Sequence, residues 1–268
     1  MKPLKIRIII LILYFYCLPL YGTTPILFNE TALDLGIIRV TYTGKEEIKL
    51  KVMIEKVEGK EKYTYDLLLR NKAESFPLQM GNGTYKISVL KNVKGTSYAL
   101  VDAKTVVLNL KDEKNVYLTS IQNINWSSTS KPVQKAVDLV DKTKNVEEKA
   151  KILYRHVIYE YTYDYDKLAT LAADYLPNID VTYDEKTGIC YDFSSLYAAM
   201  LRSQQIPTKL VKGYSENAKG YHAWNEVYDE QLKEWVIVDT TYDLQVIKKK
   251  PYLKWIKSNK VYEKVKEY

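Results

Sequence analysis

Between residues 36 and about 124, apolar and polar residues alternate with period two. Ile48, Leu50, Val52 and Ile54 fall on one side of such a run, and Tyr63, Tyr65, Leu67 and Leu69 on the next. Tyr85, Ile87 and Val89, then Val106, Leu108 and Leu110, repeat the pattern. Alternate side chains of a strand point to opposite faces, so each run has one face to bury. The turn signals VEGKEK, MGNGT, NVKGTS and KDEKN separate them. Six or seven short strands at this spacing predict a small β-sandwich. No titratable residues cluster there, which reads as a spacer or binding module.

The period changes after WSSTSKP, Trp126 to Pro132. Val133, Ala136, Val137 and Val140 recur at i, i+3, i+4 and i+7, the spacing of one helical face. A second helix opens with Asn145 and Glu148 in capping-box spacing and carries Ala150, Leu153, Val157 and Tyr161 on one side. KLATLAADYLP predicts a third, stopped by Pro177. Phe193, Leu196, Tyr197, Met200 and Leu201 then mark a buried helix that begins at or just past Cys190 and ends before Pro207.

The first 22 residues follow neither pattern. Lys2, Lys5 and Arg7 precede an apolar run from Ile8 to Leu18, then PLYG: a basic, apolar and small-residue order that predicts a secretory signal ending at Gly22. An uncleaved N-terminal anchor is the rival reading. The expected organisation is therefore a signal peptide at 1–22, a β-sandwich-like accessory domain at 23–125, a catalytic domain at 126–246 and a basic tail at 247–268. The protein is expected outside the cytoplasm, secreted or on the cell surface.

At 268 residues, 46% hydrophobic and 27% charged, the chain is long enough for a real core. Its net charge of +7 is unevenly placed. Eight lysines against two glutamates lie beyond residue 246, and removing these and the N-terminal charges leaves the body at −2. That balance excludes the distributed basic face of a nucleic-acid binder. The tail reads as a solvated segment, with weak contact to anionic wall polymer or membrane as its other meaning.

Cleavage after Gly22 would take Cys17 and leave Cys190 alone, so no internal disulfide can form. Cys190 stands at a predicted helix N-terminus, where unpaired N–H groups and the macrodipole favour an anion. Thiols in such positions titrate below the free value of about 8.5. Asp192, in the first turn, opposes this.

Only two histidines are available as a base. His156 lies on a helix flank beside Arg155 with no acidic neighbour. His222 alternates with Trp224, Glu226 and Tyr228 in one strand pattern, and Lys233, Trp235, Ile237 and Asp239 form another. A loop over Asp229–Leu232 would pair Tyr228 with Lys233, Glu226 with Trp235 and His222 with Asp239, bringing their Cβ atoms to about 4.5–5.5 Å. A two-residue slip would leave the last two as diagonal neighbours on one face. Cys190, His222 and Asp239 then make a nucleophile, base and orienting acid. Zinc is disfavoured, since one Cys and one His fall short of three or four ligands. No cofactor is expected.

The three blocks GICYDFSSLYAAMLRSQQIPTKLVKGY, YHAWNEVY and WVIVDTT resemble the transglutaminase-like superfamily over about residues 145 to 245. The resemblance implies an α+β fold with a papain-like/transglutaminase-like core, here preceded by the small all-β sandwich-like domain. It places the catalytic cysteine, histidine and aspartate on Cys190, His222 and Asp239. Gln205 replaces a glycine common before Ile-Pro. There is no tryptophan between Trp126 and Trp224, so the oxyanion-stabilising tryptophan of animal transglutaminases has no counterpart. A tyrosine from YTYDYD, Tyr161 to Asp166, is the substitute donor on offer, and no acidic loop resembles a calcium site. Thiol-dependent acyl transfer on amide bonds of protein or peptide substrates is the expected activity. Hydrolysis stands slightly ahead of amine cross-linking because nothing marks an amine site; a non-catalytic surface binding or scaffold protein that keeps the fold is the alternative.

Overall fold

The computed structural model describes residues 25–249 and 252–268. The expected signal peptide therefore lies outside the described residues. Seven strands come first: β1 (Ile26–Asn29), β2 (Ile37–Tyr42), β3 (Leu50–Lys56), β4 (Lys62–Leu67), β5 (Glu74–Pro77), β6 (Gly83–Lys94) and β7 (Ser97–Leu108). They form two antiparallel sheets, ordered β1-β2-β5 and β4-β3-β6-β7. Ile38 and Val40 of one sheet share a core with Val52, Ile54, Ile87 and Val89 of the other. Apart from Leu69, which lies exposed beyond the end of β4, the period-two residues face inward or toward the core, each fully buried aliphatic contributing roughly 1.5–3 kcal/mol.

Four helices and two short strands follow: α1 (Lys131–Val140), α2 (Val146–Glu160), β8 (Thr162–Tyr163), α3 (Tyr165–Ala169), α4 (Ile179–Glu185) and β9 (Thr187–Gly188). Asn145 Oδ1 accepts from the Glu148 N–H at 2.8 Å, which caps α2. The helix expected from KLATLAADYLP is only the five residues of α3, with Leu168 and Leu171 left exposed. Asp164 caps its start, but this run has no buried face to stabilise more than one turn. Lys186, in the left-handed region, ends α4 and turns the chain into β9.

The remaining elements are α5 (Cys190–Ser203), β10 (Thr208–Ser215), β11 (Tyr221–Asp229), β12 (Glu234–Val238), α6 (Thr240–Val246) and β13 (Tyr262–Glu267). The antiparallel order β12-β11-β10-β13 makes the second sheet system, with α5 packed on β10 and β11. Helix α5 is buried on all sides from Cys190 to Arg202 because α1, α2, α4 and α6 also pack against it. Its fully buried Arg202 donates to the carbonyls of Thr208, Thr119 and Tyr268, so a charge in the core is satisfied three ways.

Strand β13 overturns the expected solvated tail. It pairs with β10 across a bulge at Lys212/Gly213, and Tyr268 beyond it exchanges backbone hydrogen bonds with Leu210. Several tail lysines are matched internally: Lys264 with Glu226 and Glu267, Lys257 with Asp243, and Lys266 with Glu61. Composition counted those charges but not the carboxylates that fold against them.

Candidate active site

Helix α5 begins at Cys190 because of its neighbours on the N-terminal side. Asp192 Oδ2 reaches back to the Ile189 N–H at 2.9 Å and fixes the first turn. A Cβ on Gly188 would lie 2.9 Å from the Asp192 Cβ, so only glycine lets the β9 backbone come this close. The opposing charge expected of Asp192 is answered: Lys167 Nζ stands 2.7 Å from its Oδ2, and the Tyr175 hydroxyl donates to its Oδ1. Burial pulls Lys167 down, yet Asp192 and Tyr175 outweigh it and hold the ammonium above the ordinary lysine value. The helix N-terminus therefore carries a matched ion pair beside the thiol.

The β11–β12 hairpin corrects the expected register. Tyr228 faces Trp235, Glu226 faces Ile237 and Asn225 faces Val238, a slip of two residues. The cause is the turn. Asp229 Oδ1 accepts from the N–H groups of Gln231 and Leu232, its carbonyl accepts from Lys233, and Lys233 adopts the left-handed φ of 57°. The loop is thus Glu230–Lys233, and an aspartate before a four-residue loop was the available signal for it.

His222 and Asp239 nevertheless meet, with Nε2 and Oδ2 2.8 Å apart. A slip of two preserves the face, and Asp239 stands one residue beyond β12 as the cap of α6. Its Oδ1 accepts from the Tyr242 N–H at 2.9 Å, which turns Oδ2 toward the imidazole. Asp239 is completely buried and His222 is 5% exposed. Burial pulls His222 down, but the Asp239 hydrogen bond, followed by interaction with the Cys190 thiol, outweighs it and pushes the pKa up to about 10. With Nε2 committed to Asp239, the ring's Nδ1 is the nitrogen left for the sulfur. Cys190, from α5, is itself 9% exposed. All three residues singled out in the sequence come together.

Residues matching the family model described as the transglutaminase-like superfamily run from 133 to 240 and include the whole of this constellation. This domain belongs to the transglutaminase-like superfamily. Its fold is that of a family of thiol-dependent enzymes, the α+β core preceded by the all-β region. No curated protein matches the chain. Among solved structures, a Cytophaga hutchinsonii protein provisionally designated a cysteine protease is 15% identical over 87% of this chain and 83% of its own, with a TM-score of 0.45. The periplasmic domain of TgpA from Pseudomonas aeruginosa is 14% identical over 85% and 96%, at 0.41. Calcium-bound LapG from Legionella pneumophila is 17% identical over 53% and 77%, also at 0.41. Likenesses this distant identify no reaction.

The transglutaminase-like domain singles out one tyrosine of the stretch named as a donor, and it brings up a lysine that the sequence did not mark. Tyr163, from the YTYDYD stretch, has its phenol against the backbone N–H of Cys190, while burial, then the Cys190 charge, push its pKa up. β8 holds it there by pairing with β9, Tyr163 opposite Gly188. Lys212 lays its ammonium 3.4 Å from the centre of the Tyr191 ring. Burial pulls Lys212 down to about 8, partly offset by Cys190. A lysine in the middle of a strand gave no sequence signal, because only the crossing of β10 by the α5 N-terminus brings it near the sulfur. His156, in contrast, packs among Tyr161, Tyr183 and Lys186; burial drives its pKa down to about 4.

Proposed function

We propose that the protein is a thiol-dependent acyl-transfer enzyme acting on amide bonds of protein or peptide substrates, with Cys190, His222 and Asp239 as its triad. The observation that carries this reading is the buried 2.8 Å contact between His222 and Asp239, with the Cys190 thiol on the same imidazole. The sulfur attacks the amide carbonyl carbon. The imidazolium of His222 then gives its proton to the departing amine nitrogen, leaving a thioester. Neutral His222 next takes a proton from water as the water oxygen attacks the thioester. The tetrahedral adduct collapses to the acid, and the sulfur regains its place beside the imidazolium. Asp239 holds the ring and stabilises its charge throughout. The Cys190 N–H and the adjacent Tyr163 hydroxyl are the donors for the carbonyl oxygen as it becomes negative.

Hydrolysis stands ahead of cross-linking because water needs no second binding site. The protein acts after export, on substrates outside the cytoplasm. Incubating residues 23–268 with a peptide library, with and without an added primary amine, separates the outcomes by mass. Hydrolysis cleaves a backbone amide or converts a side-chain amide to the acid, and cross-linking adds the amine. Cys190→Ala should abolish either change while leaving the fold intact. Unchanged peptides in every condition would overturn the enzymatic reading in favour of a binding scaffold.

A further inference from the structure

Resting on the triad reading, we infer that Tyr262 is a positioning residue of the site, and that β13 is consequently part of the catalytic apparatus. The Tyr262 hydroxyl donates to Asp239 Oδ2 at 2.9 Å, the same oxygen that takes His222 Nε2 at 2.8 Å. With Tyr242 N–H on Oδ1, the carboxylate is held at three points, one from each of β11, α6 and β13. Only the donor from β13 neither belongs to the triad nor depends on the helix cap.

The backbone is shaped for this contact. Gly213 pairs with His222 on one side and Lys264 on the other, next to the β10–β13 bulge. A Cβ on Gly213 would fall 2.0 Å from the Glu263 carbonyl oxygen and 2.9 Å from the Trp224 ring. The absence of that atom lets β13 close on β10 and seats the Tyr262 ring against Trp224, centroids 5.0 Å apart. Asn217 Nδ2 donates to the phenol oxygen at 3.3 Å, which leaves the hydroxyl proton for Asp239. Burial, then the charge of Asp239, push the phenol's pKa up, so it remains a donor across the working range.

The chemical consequence follows from sharing one oxygen. A second donor on Oδ2 draws off part of the charge that would otherwise act on His222, and it stops the carboxylate from turning away. Tyr262 therefore limits how tightly the imidazolium keeps the proton that it must give to the leaving amine.

Tyr262→Phe removes only the hydroxyl and keeps the ring on Trp224. The test follows the ring signals of His222 by NMR against pH in the wild type and in Tyr262→Phe, with thermal unfolding as a check on the fold. The expected result is a His222 midpoint raised by about half a unit or more, and, on any substrate found in the peptide screen, kcat reduced about tenfold with KM within twofold. A midpoint that stays in place or falls would overturn the inference. The titration needs no substrate, so it decides the role of Tyr262 even if the peptide screen fails and the acyl-transfer reading falls. Asn217→Ala, on the exposed side of the phenol, is the second variant. It removes the donor that directs the hydroxyl without touching the Asp239 side, and should move the midpoint in the same direction by a smaller amount; a shift larger than that of Tyr262→Phe would also overturn the inference.

Discussion

Asp239→Asn tests the electrostatic design of the site most directly, because one oxygen of the new side chain can still cap α6. In the wild type His222 is raised from 6.5 to about 10 although burial acts the other way. At about 1.36 kcal/mol per unit, the net difference is on the order of 5 kcal/mol, left over after Asp239, and then Cys190, have overcome the cost of burial. The sign is fixed by the direction of the shift. A folded-state pKa above the unfolded one gives stability that is fully present below about pH 6.5 and is lost as pH rises toward about 10, at ~1.4 kcal/mol per pH unit between them. In Asp239→Asn burial faces only the thiol, so the imidazole should be neutral in this window and that dependence should vanish. Urea unfolding of both proteins from pH 6 to pH 10 reads the effect as a difference between two stability curves. The difference should be largest at the acid end and shrink steadily toward the alkaline end. A constant difference across the range would refute the coupling, whatever its size. Turnover should fall by about 10²–10⁴, and adding His222→Gln should cost little more than the worse single change, since the two groups act as one unit.

Three further outcomes are expected. Lys167→Met leaves the buried Asp192 with the Ile189 N–H and the Tyr175 hydroxyl but no cation; breaking such a pair is worth about 3–5 kcal/mol, and chemical denaturation should show at least half of it returned by adding Asp192→Asn. Gly188→Ala forces a methyl within 2.9 Å of Asp192 and should destabilise by about 1–3 kcal/mol. The same change should slow iodoacetamide labelling of Cys190; an unaltered labelling rate would mean that the α5 N-terminus tolerates the displacement. N-terminal sequencing of exported protein should begin at Thr23, and a start at Met1 would favour an anchor.

Local pattern carried a good part of this structure. Leu50, Val52 and Ile54, or Tyr85, Ile87 and Val89, announce their strands because a half-buried strand must alternate, whatever packs on it. Cys190 was legible as the start of α5 because the apolar spacing begins there, and His222 as a strand residue because its neighbours alternate. The KLATLAADYLP run shows the limit of the same method. It has helical composition, but no neighbouring surface covers Leu168 and Leu171, and only one turn forms.

The exact register of the hairpin was beyond reach, since face depends only on even and odd positions, whereas pairing depends on the Asp229 turn and the left-handed Lys233. His222 and Asp239 meet despite the slip because both lie on one face and the α6 cap aims the carboxylate. The sequence alone therefore determined which residues lie on which face of which element, a property set by spacing along the chain. Tertiary structure alone decided that Lys167 neutralises Asp192, that Lys212 lies over the Tyr191 ring and interacts with Cys190, and that β13 closes the sheet with Tyr262 on Asp239. Those contacts join residues 21 to 25 positions apart, on elements that meet only after the sheet has formed. No periodicity records them, because their energy comes from burial and charge pairing between surfaces that do not exist until the chain has folded.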